Sequence, residues 1–224
     1  MFSKATFCFL DELAVNNNRA WFELNKPRYE ELVREPAMEF IAEMGLALES
    51  FAPHFKADLR KVGGSLMRVA RDTRFSRNKS PYKTNIGIQF RHDSGKDVHT
   101  PGFYVHLAND ECFLGVGCWK PDSDALGLIR DLVAKRPEKW FSVRDNKKFV
   151  EHWTLSGDTL NRPPRGYDAV HLAIDDLKRK DFIGVSPVLR RNIVKGNLTK
   201  LAAENFASAA PFMKFLCTAL KLDY

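Results

Sequence analysis

A chain of 224 residues with 44% apolar side chains is long enough for an ordinary packed core and is read as one domain, residues 1–224. Its four cysteines form no C-x-x-C pair and no apolar run approaches the roughly 18 residues of a membrane span, which excludes a disulfide framework and a transmembrane helix. The net charge of +7 is unevenly placed: Arg60 to Arg91 holds nine Lys or Arg against Asp72 alone, a local +8 that leaves the remainder of the chain at −1. The opening MFSKATFCFLDEL meets Asp11 and Glu12 too soon for a secretory apolar core, so a cytoplasmic, reducing location is expected.

In chain order, Phe9, Leu10 and Leu13 make an apolar stripe that ends at Asn16, Asn17 and Asn18. Asn25 reads as an N-cap with Pro27 just inside the next helix. Pro36 permits another start, and Phe40, Ile41, Met44, Leu48 and Phe51 keep helical spacing until Pro53. Beyond Gly63 the period becomes two: Thr84, Ile86, Ile88 and Phe90 alternate with more polar positions, as in a half-buried strand. Arg91 to Gly102 is a polar joint, Phe103, Val105 and Leu107 resume the alternation, and Asn109-Asp110 turns the chain into CFLGVGCW. Three successive strands with short joints predict an antiparallel meander.

Asp122, Ser123 or Asp124 caps a helix carrying Leu126, Ile129 and Val133, and Pro137 begins another with Trp140, Phe141, Phe149 and Trp153. Ser156 to Asp168 is turn-rich, DFIGVSP is a short strand, and the C-terminus returns to helix, bent or broken at Pro211. The expected class is α+β, a central antiparallel sheet packed with N-terminal and C-terminal helices.

The segment that carries chemistry is RVARDTRFSRNKSPYKT, residues 68–84, with six cations and one acid. Crowded like charge opposes folding unless an anion offsets it. Arg68, Arg71, Arg74 and Arg77 recur every third residue, so a strand divides them between two faces and only some converge. Arginine forks suit carboxylate or phosphate. The candidate anion cradle is Arg68, Arg71, Arg74, Lys79 and Tyr82, with Asp72 orienting arginines rather than accepting protons. The competing reading is a solvated surface or an internal ion-pair network in a partner-binding scaffold.

Several motifs resemble one family. Arg68-x-x-Arg71-Asp72-x-Arg74-Phe75 with Asn78-Lys79-x-x-Tyr82, Asn17-Asn18-x-x-Trp21-Phe22, Gly102-x-Tyr104, and Gly117-x-Trp119-x-Pro121 leading to Ile129-Arg130 are similar to a bacterial family of unknown function also found within longer fungal proteins. The resemblance spans nearly the whole chain and implies no activity or catalytic residue. It suggests which parts belong together. Were the strands near Gly102 and Cys112 to pair with the Arg68 stretch, Tyr104 or His106, Trp119 and Arg130 would flank the cradle, with Trp119 as an apolar wall.

No Walker loop, G-x-G-x-x-G or G-x-S-x-G occurs, and the six histidines lack H-x-x-x-H or H-x-H spacing, so neither a cofactor nor a metal is expected. The resulting expectation is a protein that binds a phosphorylated or polycarboxylate small molecule; binding alone and binding followed by catalysis both fit. The alternative partner is nucleic acid, with Phe75, Tyr82 or Trp119 stacking on bases.

Overall fold

The computed structural model of the chain describes residues 1–74, 76–95 and 100–224. Its centre is a six-stranded sheet built from β1 (Phe55–Lys56), β2 (Ile86–His92), β3 (Gly102–Leu107), β4 (Cys112–Cys118), β5 (Thr154–Ser156) and β6 (Phe182–Pro187), in the order β1-β2-β3-β4-β6-β5. Every adjacent pair is antiparallel, with Ile88 opposite Val105, Val105 opposite Leu114, and Leu114 opposite Ser186. The meander β2-β3-β4 is therefore as the alternation predicts. Part of the joint between β2 and β3 lies outside the described residues.

Alternation gives the sheet two unlike faces. Ile88, Phe90, Phe103, Val105, Leu114 and Phe182 are buried completely. Helices cover this face: α3 (Glu35–Phe51) sets Phe40 against Phe90 and Phe51 against Phe103, and α9 (Leu198–Ser208) sets Phe206 4.8 Å from Phe103. Trp140 of α5 (Pro137–Arg144) meets Phe182 and Phe212, the latter on α10 (Ala210–Ala219). The opposite face carries Gln89, Tyr104, His106, Phe113, Ile183 and Val185, all only partly buried. The fold is thus α+β, and one side of its sheet remains accessible.

The first helices differ from the sequence expectation. After α1 (Lys4–Val15), the cap of α2 (Arg19–Tyr29) is Asn18, whose Oδ1 accepts the Trp21 N–H at 3.0 Å. Asn25 lies inside the helix, where its amide donates to Trp21 O at 2.9 Å. Pro27 does not begin a helix but sits within one, and a π-helical turn over Glu30–Arg34 follows before α3. A wider turn shortly after a missing N–H is how a helix absorbs proline without ending. Capping by Asp122 begins α4 (Ser123–Lys135), as expected, through Ala125 N–H at 2.8 Å. The segment read as one helix from Pro137 is instead α5 and α6 (Lys147–His152), divided where Asn146 recaps the chain.

The short helices α7 (Ile174–Leu177) and α8 (Arg190–Val194) flank β6, and α9 and α10 meet at Ala209, just before Pro211. Buried Asp181 accepts the N–H groups of Lys120 at 2.7 Å and Asp158 at 3.0 Å. That carboxylate joins the turn after β4 to the loop after β5. Among the described residues no helix is long and apolar enough to cross a membrane.

Candidate functional site

The arginine-rich segment forms a hairpin that runs into β2, on the edge that β1 covers only at Arg91 and His92. Met67 N–H reaches Gly87 O and Gln89 N–H reaches Ser65 O, both at 2.9 Å, about a Leu66–Ile88 bridge. Farther out, Arg71 N–H donates to Pro81 O and Lys83 N–H to Val69 O, both at 2.8 Å, about an Ala70–Tyr82 bridge. Between the bridges one side has residues 67–69 and the other 83–87, so the Lys83 side bulges. The backbone about the Ala70–Tyr82 bridge is extended, as the strand reading of the arginine spacing expects. Its strand neighbours are residues 81–89, however, and not β3 or β4.

The N-terminal motif holds the hairpin in place. Asn17 Oδ1 accepts the Tyr82 N–H and its Nδ2 donates to Tyr82 O, both at 3.0 Å, so one side-chain amide imitates a neighbouring strand. Phe22 stacks on Tyr82 at 4.0 Å and 21°. Trp21, beside it, packs 5.7 Å from Phe9. Two separated motifs of the sequence are therefore one structural unit. The Tyr82 ring serves in it as a buried packing residue.

The cations of the segment divide into satisfied and unsatisfied groups. Arg74 binds Asp72 through Nε at 3.0 Å and NH2 at 2.7 Å, which holds the Asp72 carboxyl far below the usual carboxylate range. Asp72 thus holds the Arg74 guanidinium in place. Arg60 pairs with Asp58, Arg91 donates to Gly63 O at 2.6 Å, and Lys79 donates to Thr73 O at 2.9 Å. Arg68, Arg71 and Lys83 have no carboxylate within ion-pair distance among the described residues. Asp72 does lie within electrostatic reach of Arg68, but both its oxygens already face Arg74.

Arg71 and Lys83 are diagonal neighbours across the Ala70–Tyr82 bridge, a relation that places backbones about 7–8 Å apart. Lys83 is half-buried, at the rim of a narrow void of about 10 Å³ lined also by Leu13, Tyr29, Val33, Leu66 and Ile86. Burial lowers its ammonium pKa, and repulsion from Arg68 and Arg71 adds to that.

Two residues beyond Lys83, the hairpin meets the open sheet face. Asn85 Nδ2 approaches His106 Nδ1 at 3.5 Å and Tyr104 Oη approaches the same nitrogen at 3.2 Å. With two donors on Nδ1, the neutral ring carries its proton on Nε2. Burial pushes the His106 pKa down and raises Tyr104 to about 12, so both are neutral at physiological pH. Gly87 makes the arrangement possible, because a Cβ there would stand 2.9 Å from Tyr104 Oη and 3.0 Å from Met67 Sδ. Phe113 lies opposite His106 and stacks on it at 4.7 Å.

A group whose folded pKa is depressed below its unfolded value, when that group is a base, opposes folding once the unfolded form protonates. For His106 the penalty begins as pH falls below about 6.5 and is complete below the folded pKa. His106→Asn is expected to lose less stability than the parent between pH 7 and pH 5. Urea unfolding of both chains at the two values checks it; equal losses exclude His106 as a source.

Trp119 and Arg130 are not brought to this site. His106 faces Phe113, and Trp119 follows six residues along the same strand direction, roughly 20 Å away by strand rise. Trp119 is 50% exposed with Lys120 over its ring at 4.9 Å, while Arg130 donates to Arg179 O at 2.8 Å. Phe75 lies outside the described residues. His54, His92 and Asp93 do converge, with ligand atoms within 4.8 Å of one another. Their fit to a metal is poor: His92 Nε2 faces Asp223 O at 2.7 Å, and its Nδ1 already accepts Ser94 N–H at 3.1 Å.

Lys83, Asn17 and Asn85 are the residues that the sequence reading left out of the site. Lys83 was visible in the charge count, and Asn17 in the N-terminal motif. Their proximity was not.

A helix-backed antiparallel sheet, open on one face and edged by a cationic hairpin, is the class of protein these features define. The chain belongs to the DUF2461 family of conserved hypothetical proteins, whose pattern matches residues 5–215. No curated protein matches the chain, and no solved structure does.

Proposed function

We propose that the protein binds a small phosphate- or carboxylate-bearing molecule at Arg68, Arg71 and Lys83. The observation that carries this reading is selective neutralisation. Arg60 and Arg74 each have a carboxylate partner, whereas these three, like Lys61, Arg77 and Lys79, have none among the described residues, and these three act on one another at close range. Two arginine forks and an ammonium are the usual donors for an oxyanion. Arg74 and Lys79 complete a wider cradle at the loop, exchanging Asp72 and Thr73 O for the ligand; Tyr82 supports it from behind. His106 Nε2–H and Tyr104 provide neutral polar groups for the remainder of the molecule. A reducing, cytoplasmic setting accords with four unpaired thiols, three of them buried.

Thermal unfolding with increasing pyrophosphate tests the proposal. The expected result is a saturable rise in midpoint that sodium chloride at equal ionic strength does not reproduce. No rise beyond the salt control ends the reading.

The partly exposed Tyr104, His106 and Phe113 favour one second reading, single-stranded nucleic acid laid across the sheet with its phosphates on the hairpin. It requires affinity for oligonucleotides that falls steeply with salt, in proportion to the phosphates contacted. Fluorescence anisotropy with labelled oligo-dT at 50 and 200 mM salt decides it, a flat response being fatal.

A further inference from the structure

Resting on the anion reading, we propose that Lys83 is a reactive amine that condenses with the carbonyl group of an anionic aldehyde or ketone held by Arg68 and Arg71. Four features of the site lead there. Lys83 Nζ has no hydrogen-bond acceptor or carboxylate among the described residues, in contrast to Lys79, which is bonded to Thr73 O. Lys83 is half-buried and lines a void of about 10 Å³, too small for a ligand of its own. Arg71 stands diagonally across the hairpin and Arg68 lies close enough to repel the ammonium. No acid among the groups acting on Lys83 offsets that repulsion, and burial works in the same direction.

A lysine amine becomes a nucleophile when desolvation and neighbouring positive charge favour its neutral form. Each unit by which its pKa falls gives about tenfold more free amine at neutral pH. An anionic carbonyl compound suits the same surroundings. Its carboxylate or phosphate bonds the guanidinium groups, and that leaves its carbonyl carbon within reach of Nζ. The Nζ lone pair forms the C–N bond as the carbonyl oxygen takes up a proton. The carbinolamine then loses that oxygen as water, with the second nitrogen proton, to leave a C=N bond.

Glyoxylate with cyanoborohydride tests the assignment on the whole chain, since hydride reduction of the C=N bond leaves a stable carboxymethyl-lysine that peptide mass spectrometry locates. The expected result is labelling of Lys83 several-fold faster than exposed Lys61 and Lys79. Lys83→Arg should remove that label. Arg71→Ala, once shown to be folded by circular dichroism, should slow it, and acetaldehyde, which lacks the anionic group, should show no comparable preference. Labelling spread evenly over exposed lysines, or equal preference for acetaldehyde, overturns the inference. If the pyrophosphate response persists in that case, the anion site stands without the chemistry; if it is absent as well, both fall.

Discussion

Arg71→Ala is expected to weaken pyrophosphate binding by about 10- to 100-fold, the loss that follows from removing one hydrogen bond to a charged group, worth about 1.5–3 kcal/mol. The fold should survive. Arg71 contributes a backbone bond, Arg71 N–H to Pro81 O at 2.8 Å, that alanine retains, and its guanidinium has no carboxylate partner to lose among the described residues. Removing a like charge next to Lys83 should leave stability equal or slightly higher. Calorimetric titration with pyrophosphate and urea unfolding are therefore read together. Unchanged affinity removes Arg71 from the site; an unfolded or aggregated variant supports the internal ion-pair reading instead. Arg74→Ala is the comparison, because Arg74 is held by Asp72 and should matter less to the ligand.

The largest expected loss of stability is Gly117→Ala. Gly117 occupies φ +111°, and a Cβ there would lie 2.1 Å from Phe182 O and 3.0 Å from the Phe212 ring. Backbone strain and displacement of β6 from β4 together should cost about 3–5 kcal/mol. The same substitution ten residues later should have the opposite sign. Gly127 lies inside α4, where an added Cβ meets nothing within 4 Å, so Gly127→Ala should stabilise by up to about 1 kcal/mol. Chemical denaturation of both variants measures the contrast. A tolerant Gly117 would mean that β4 and β6 can separate without loss, contrary to the packing of Phe182 and Phe212.

The helices and strands were largely legible because their apolar periods differ. Phe40, Ile41, Met44 and Leu48 repeat on a helical stripe, while Ile86, Ile88 and Phe90 repeat on one face of a strand, and each pattern describes burial by a neighbour. The misreadings around Asn25 and Pro27 have a local cause: proline at the start of a helix and proline tolerated before a π turn look alike in sequence. The pairing of Asp72 with Arg74 is local, since the two residues are near neighbours in the sequence. Asn17 and Tyr82, 65 positions apart, were recognisable only as parts of motifs.

Charge placement belongs to the sequence alone. A segment with nine cations and one acid, in a chain otherwise near neutrality, must find an anion or hold its charges in water, however it folds. Which cations remain unneutralised was decided by tertiary structure. Two residues can satisfy one another only when the backbone sets them within a few ångströms, and here the hairpin gives Asp72 to Arg74 and Gly63 O to Arg91. The same hairpin brings Arg68 and Arg71 beside a half-buried Lys83, and it leaves Trp119 and Arg130 at the far end of the sheet. Burial, repulsion and distance are properties of that placement, and no count of residues contains them.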